Sequence, residues 1–275
     1  MADPKELKNI ARAVATEVSA MIRQRRAGQV TVADTKSSSV DVVTAVDRES
    51  EEMIQRLLAS HRPQDAFFGE EGGSGSGASG ITWVVDPIDG TVNFLYDIPH
   101  YAVSIAAIEG DVDPTSWRVL AGVVMNPATG DVYHAAVGDG AFHGDRPIRV
   151  AEPVDLSLAL LATGFAYSQT VRRYQAELLT QVLPRVRDIR RMGTASLDLT
   201  MVASGRVNVF FERTLSPWDH AAGELIVREA GGVTGGYGDL GPGREAFMAG
   251  HPLMVERLRG LFDDLGGIVP LSEML

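Results

Sequence analysis

Three short segments set carboxylates beside glycine or proline, where a backbone must turn sharply: Gly69-Glu70-Glu71-Gly72, Asp86-Pro87-Ile88-Asp89-Gly90-Thr91 and Pro217-Trp218-Asp219. Each follows an apolar run that reads as a strand: Ala66-Phe67-Phe68, Trp83-Val84-Val85 and residues 207–211. Asp86 and Asp89 stand three residues apart across a turn punctuated by Pro87 and Gly90, so both carboxylates can face one point. Taken singly, each segment has an ordinary explanation. Asp-Pro-x-Asp-Gly is turn chemistry, adjacent glutamates between glycines are solvated, and Asp219 is a first-turn acid of a helix. In combination they differ, because four carboxylates brought close together repel one another and take up protons unless a cation neutralises them. The chain has no cysteine, and no histidine occupies the core positions of the three segments. Such an oxygen-only donor set favours a hard ion such as Mg²⁺ over zinc.

Around these segments the chain has the composition of an ordinary globular protein. Its 275 residues, 45% hydrophobic and 22% charged, exclude a wholly disordered, collagen-like or membrane-embedded chain and allow one large domain or two smaller ones. The 25 basic and 36 acidic residues give a formal charge of −11, which repels nucleic acid and anionic membranes and makes a cation the natural mediator for any anionic substrate. The absence of cysteine removes disulfides, thiolate nucleophiles, iron–sulfur clusters and cysteine-ligated zinc, and suits a reducing cytosol. No apolar core of signal-peptide kind follows Met1, and the uncharged stretch 156–171 is too short and too polar to span a bilayer. The expectation is a cytoplasmic protein.

The carriers of the three segments are read from capping signals and periodicity. Asp3-Pro4-Lys5-Glu6 is a helix start, and Leu7, Ile10, Ala11, Val14, Val18, Met21 and Ile22 continue at helical spacing toward an end near Gly28. A second helix is expected over 48–60, with Asp47 in the cap position. Residues 72–80, GGSGSGASG, read as a flexible surface loop. Strands at 81–85, 101–108, 117–125 and 132–136 without helices between them imply a largely antiparallel sheet. After about residue 149 the texture changes: a strand over 158–163, helices over 171–186 and 195–203, a strand over 207–211 and a helix over 217–230. That alternation points to a second α/β unit, with the division placed at 1–150 and 151–275.

The segment Trp83-Val84-Val85-Asp86-Pro87-Ile88-Asp89-Gly90-Thr91-Val92-Asn93-Phe94 resembles the first signature of the inositol monophosphatase family. Pro217-Trp218-Asp219-His220-Ala221-Ala222-Gly223-Glu224, continuing to Glu229-Ala230-Gly231-Gly232, resembles the second. Lys36, the stretch from Asp41 to Asp47, Gly69-Glu70-Glu71 and Arg191-Met192-Gly193-Thr194-Ala195 complete the likeness in family order over nearly the whole chain. The resemblance implies a layered αβαβα sandwich and a Mg²⁺-dependent, Li⁺-sensitive phosphomonoesterase, as a homodimer. By position it implies that Glu70, Asp86, the backbone carbonyl of Ile88, Asp89 and Asp219 hold two or three metal ions. Thr91 and Asp47, with Glu70, form the catalytic set implied. Gly90 and Thr91 offer backbone N–H groups to phosphate, while Asp89, Gly193, Ala195, Glu212 and Asp219 line a pocket for the leaving polyol.

Several readings stay open on the sequence. Glu212 is equally an exposed acid beside Arg213, and Gly193-Thr194-Ala195 equally a turn into a helix. The Gly/Ser stretch reads as a tolerated insertion, or as a loop that closes over the site or carries a third ion through Glu70. Arg185, Arg187, Arg190 and Arg191 form a basic cluster, either a solvated helix face or a surface for a phosphate-rich partner. Myo-inositol 1-phosphate is the expected substrate. The same machinery would also serve histidinol phosphate, fructose 1,6-bisphosphate, 3′-phosphoadenosine 5′-phosphate or NADP, and a partner-binding role in a larger assembly is the competing function.

Overall fold

The computed structural model describes residues 2–28, 32–35 and 42–274; Lys36 and Asp41 lie outside them. Asp3 caps α1 (Pro4–Arg26) by accepting the Lys5 N–H, and the stripe Leu7, Ala11, Val14, Val18, Ile22 is buried along it. The short antiparallel pair β1 (Val32–Thr35) and β2 (Val42–Thr44) leads into α2 (Ala45–His61). Its N-cap is Thr44, and Asp47 is the reciprocal N3 partner in a capping box. The helix thus starts three residues ahead of the expected place, because Asp47 fits the sequence rule for a cap and for an N3 acid equally well.

Eight strands form the larger sheet: β3 (Ala66–Gly69), β4 (Ser74–Gly75), β5 (Ile81–Asp89), β6 (Ala102–Glu109), β7 (Arg118–Met125), β8 (Val132–Ala136), β9 (Gly140–His143) and β10 (Arg146–Pro147), with the short α3 (Thr91–Leu95) after β5. Their order is β10-β9-β8-β7-β6-β5-β3-β4, and every pair is antiparallel except β3 with β5. The largely antiparallel expectation holds. The Gly/Ser stretch is not the free loop expected from its composition. Ser74 and Gly75 pair with Phe68 and Phe67 as an edge strand. Glu51 accepts the Gly73 N–H at 2.7 Å, and the Gln64 carbonyl accepts the N–H groups of Ala78 and Ser79. Glycine is required there by closeness of approach, since a Cβ on Gly77 would overlap the Ala66 nitrogen.

The second sheet holds β11 (Leu160–Ala162), β12 (Asp188–Arg190), β13 (Val209–Glu212), β14 (Val233–Gly235) and β15 (Phe247–Gly250) in the order β12-β11-β13-β15-β14. It is mixed: β11 runs parallel to β12 and β13, whereas β15 is antiparallel to β13 and β14. Its helices are α4 (Gln169–Val182), α5 (Ala195–Ala203), α6 (Pro217–Glu229) and α7 (Pro252–Asp264). The antiparallel half was not expected. β12, β14 and β15 span only three or four residues, too few to show a period.

Three apolar clusters define the layers. One packs α1 and α2 on one face of the large sheet through Leu7, Ile54, Trp83 and Ile105. Another places α5 and α6 between the two sheets, joining Val84, Ala106 and Val124 to Leu199, Ala222, Phe210 and Phe247. The third covers the far face of the small sheet with α4 and α7, through Leu178, Phe211, Met254 and Leu258. The architecture is an αβαβα sandwich. Helix α6 approaches β7 so closely that a Cβ on Gly122 would lie 2.8 Å from the Ala222 carbonyl oxygen and 3.0 Å from its Cα. Both neighbours are main chain, so Gly122→Ala must push the helix off the sheet. A loss of roughly 1–3 kcal/mol is expected from such overpacking, read as a lowered urea midpoint at constant m-value.

Candidate active site

β5 delivers two carboxylates to one place by a local irregularity. Its pairing with β6 is regular to Asp86 opposite Ser104 and resumes at Asp89 opposite Ala102, so β5 carries one residue more than its partner. Pro87 lacks the N–H that a regular ladder would use, and the Ile88 N–H turns back to Asp86 Oδ1 at 3.1 Å. The expected turn is therefore a bulge within a continuing strand, and the sharp change comes at Gly90, whose φ of 93° suits glycine. Glu70 reaches the same point because β3 runs parallel to β5 with Gly69 opposite Val85, and the Glu70 N–H donates to the Val85 carbonyl at 3.2 Å. Asp219 arrives from the first turn of α6, where its Oδ2 accepts the Ser216 N–H at 2.6 Å in a second capping box.

A cleft of about 400 Å³ is lined by Glu70, Asp86, Ile88, Asp89, Gly90, Thr91 and Asp219. The residues expected to ligate metal thus share one cavity. Burial raises the Asp86 and Asp219 carboxyls well above the ordinary range, and mutual repulsion adds to it, from Glu70, Asp89 and Asp219 on Asp86 and from Asp89 and Glu70 on Asp219. Burial pushes Asp89 up to about 6, opposed by hydrogen bonds from Ser196 and Ala195. Hard oxygen donors crowded in this way fit a hard cation such as Mg²⁺. Among the described residues no three His, Asp or Glu side chains already close on one point as a coordination shell.

The sign of the resulting pH dependence follows. A carboxyl raised from 3.8 to about 6 binds more protons folded than unfolded in that interval, so its contribution to stability falls as pH rises through it. Mg²⁺ held by these carboxylates would replace those protons. The increase in Tm given by Mg²⁺ is expected to be larger at about pH 7.5 than at about pH 5, and calorimetric titration in two buffers should register proton release on binding.

At the edge of the cleft, Thr91 Oγ1 donates toward Asp47 Oδ1 at 3.0 Å, with the Ile88 carbonyl oxygen 3.1 Å away as the alternative acceptor. Asp47 is 1% exposed. Its other oxygen accepts the Thr44 N–H at 2.8 Å and the Thr44 hydroxyl. Burial pushes its carboxyl up to about 6 against those hydrogen bonds, which hold it down. One residue therefore serves both as capping-box acid and as the Thr91 partner.

A second cleft of about 320 Å³ shares Asp89, Gly90, Ala166, Tyr167, Thr214 and Asp219 with the first, and Gly193, Thr194, Ala195, Glu212 and Arg191 are among the residues it adds. Gly193 and Thr194 do lead into a helix: α5 begins at Ala195, and the Ser196 N–H in its first turn donates to Asp89 Oδ2 at 2.7 Å. Both readings of that segment hold together. Glu212 ends β13 and faces the cleft, while Arg213 turns the other way, fully buried, with its Nε donating to the Glu245 carbonyl at 2.7 Å. The exposed-acid reading of Glu212 falls, and burial with Asp198 and Asp89 nearby raises its carboxyl well above the ordinary range.

The basic cluster is not one surface. Arg190 pairs with Asp188 at 2.7 Å, and the Arg191 guanidinium lies 5.6 Å over the Phe165 ring beside the second cleft. None of residues 72–80 lines either cleft. His61, His134, His143 and His251 also stand apart from both. Several residues of the site gave no sequence signal. Asn93 Nδ2 donates to the carbonyls of His100 at 2.7 Å and Met192 at 2.8 Å, joining the α3 turn to the Gly193 segment. Asp198, 1% exposed, sits in the apolar run of α5, where a lone acid reads as a solvated position. Only the i, i+3 step from Ala195 could have marked it.

A sequence model of the inositol monophosphatase family matches residues 3–256. An inositol-1-monophosphatase of Mycobacterium leprae is 42% identical over 98% of both chains. A protein of Pasteurella multocida named Nus factor SuhB is 40% identical over 79% of each. The solved structure of Mycobacterium tuberculosis SuhB superimposes with a TM-score of 0.82 at 40% identity, covering 98% of this chain and all of the other.

Proposed function

Because this chain belongs to the inositol monophosphatase family, we propose that its two joined clefts hydrolyse a small phosphate monoester, myo-inositol 1-phosphate foremost, with Mg²⁺. The observation that carries this reading is the convergence of Glu70, Asp86, Asp89 and Asp219 on a cleft with the Thr91–Asp47 hydrogen bond at its edge. Glu70, Asp86, Asp89, Asp219 and the Ile88 carbonyl would hold two or three ions. Bound there, Mg²⁺ supplies positive charge to the phosphoryl group and acidifies a water.

The remaining work belongs to the chain. The phosphoryl group lies against Gly90 and Thr91. Thr91, with its hydrogen committed to Asp47, presents an oxygen lone pair that orients the attacking water. As the water oxygen bonds to phosphorus, its proton passes to Thr91 Oγ1 and the Thr91 hydrogen passes to Asp47, raised to about 6 by burial, from which it is returned by the same route to the departing alkoxide. The alcohol leaves into the second cleft, where Glu212, Ala195 and Asp89 accept and donate hydrogen bonds to its hydroxyls. Histidinol phosphate, fructose 1,6-bisphosphate, 3′-phosphoadenosine 5′-phosphate and NADP would use the same phosphoryl site with a different fit in the second cleft. The chain works as a homodimer in the cytoplasm on this reading; no described helix is long and apolar enough to cross a membrane.

Phosphate release from a panel of these esters, with and without Mg²⁺ and with added Li⁺, tests the proposal. Release that needs Mg²⁺, is suppressed by Li⁺ and is fastest on the inositol ester is expected; a faster nucleotide or histidinol ester would keep the mechanism and change the substrate. The name of the Pasteurella relative supports a second reading, a role within a protein assembly beside catalysis. Affinity capture that recovers the chain alone under conditions preserving weak complexes would remove it.

A further inference from the structure

Between Ala162, where β11 ends, and Gln169, where α4 begins, the chain walls the second cleft: Gly164, Phe165, Ala166 and Tyr167 line it, and Ala166 and Tyr167 line the first as well. Side chains of α4 hold the main chain there. Gln175, 4% exposed, accepts the Ala166 N–H on Oε1 at 2.9 Å and donates from Nε2 to the Gly164 carbonyl at 3.3 Å. Arg172, one turn earlier on the same helix face, donates from Nε to the Ala166 carbonyl at 2.9 Å. Gly164 in turn packs directly on Glu212, for a Cβ there would overlap the carboxylate oxygens. The position of this segment therefore sets the position of Glu212, and with it the shape of the cleft that receives the alcohol.

We propose that Gln175, assisted by Arg172, is a positioning residue for the leaving group, holding the Gly164–Ala166 wall against Glu212 so that a hydroxylated alcohol is gripped. The inference rests on the phosphatase reading and on the second cleft taking the alcohol. Gln175 itself lines neither cleft; of the two residues it holds, Gly164 lines only the second cleft and Ala166 lines both, so its loss acts first on the alcohol side through Gly164 and Glu212. A buried glutamine with both ends satisfied is replaceable in shape by leucine, which leaves the Ala166 N–H and Gly164 carbonyl without these partners and frees the wall.

The test compares a hydroxyl-bearing ester with para-nitrophenyl phosphate, whose aryl group offers no hydroxyls to Glu212. In Gln175→Leu the KM for the inositol ester is expected to rise about tenfold, with kcat, the aryl ester's kcat/KM and the competitive Ki of inorganic phosphate each changing by less than about threefold. Arg172→Met, which removes the hydrogen bond to the Ala166 carbonyl at the rim of the second cleft that Arg172 itself lines, is expected to shift KM in the same direction by about threefold, and it carries the test if the leucine variant does not fold. Equal losses on both esters, or a weakened phosphate Ki, would make Gln175 merely structural and overturn the assignment; an unchanged KM for the hydroxylated ester would overturn it as well. Should the wild type ignore the inositol ester, the substrate reading fails first, and the comparison is run with the best hydroxylated ester of the panel.

Discussion

Asp86→Asn is expected to remove activity by more than about 10⁴-fold while raising the melting temperature of the metal-free protein. The two effects have one cause. Asp86 is 1% exposed and feels Glu70, Asp89 and Asp219 together. Asparagine preserves its shape and can still accept the Ile88 N–H, so the bulge in β5 that aims Asp89 should persist. What disappears is one negative charge and one of the carboxylates that would hold the ions.

Above the ordinary carboxylate range, the folded metal-free chain bears the cost of crowding ionisable acids in a buried cleft, and deleting one of them relieves its neighbours. Stability without metal therefore rises at neutral pH, and the increment given by Mg²⁺ falls toward zero. Thermal unfolding of both proteins with Mg²⁺ and with chelator measures this directly. A variant that loses activity yet keeps the full Mg²⁺ increment would show that Asp86 does not hold the ions.

The contrast between what the sequence disclosed and what it hid has a physical pattern. Asp86, Asp89 and Asp219 were legible because glycine and proline mark the bulge, turn and helix start around them, and such punctuation survives in one dimension. Helices α1, α5 and α6 were legible because they are long and capped, or bounded by glycine and proline. The Gly/Ser stretch misled because composition reports side chains, whereas main-chain groups of Phe67, Phe68 and Gln64 and the carboxylate of Glu51 tie it down. Asp198 and Gln175 were invisible for a related reason. Each is a polar residue whose meaning comes from a neighbour far away in the chain or out of register with any local period, and Glu212 became distinguishable from an exposed acid only once Arg213 was seen to face the opposite side of β13.

Thr91→Val and Asp47→Asn should each lower kcat by roughly 10²–10⁴-fold, less than the Asp86 change, because general-base assistance is worth that much while the charge of the cleft is left in place. The valine keeps the volume and branching of threonine, so α3 is preserved; it removes the hydroxyl that donates to Asp47 at 3.0 Å. The Mg²⁺ increment in Tm should survive in both variants, which separates a proton-handling role from a ligand role. Asp47→Asn carries one further mark. In the wild type the carboxyl, pushed up to about 6 by burial, must be ionised to take a proton, so kcat/KM should fall as pH drops through about 6. At saturating Mg²⁺, which would hold Asp89 and its neighbours ionised, that acid limb should be lost or displaced in the asparagine variant. An unchanged acid limb, with activity reduced only in proportion to stability, would return Asp47 to the helix cap and leave the base to another group. Losses as large as that of Asp86→Asn would instead place the Thr91–Asp47 pair among the groups that hold the ions.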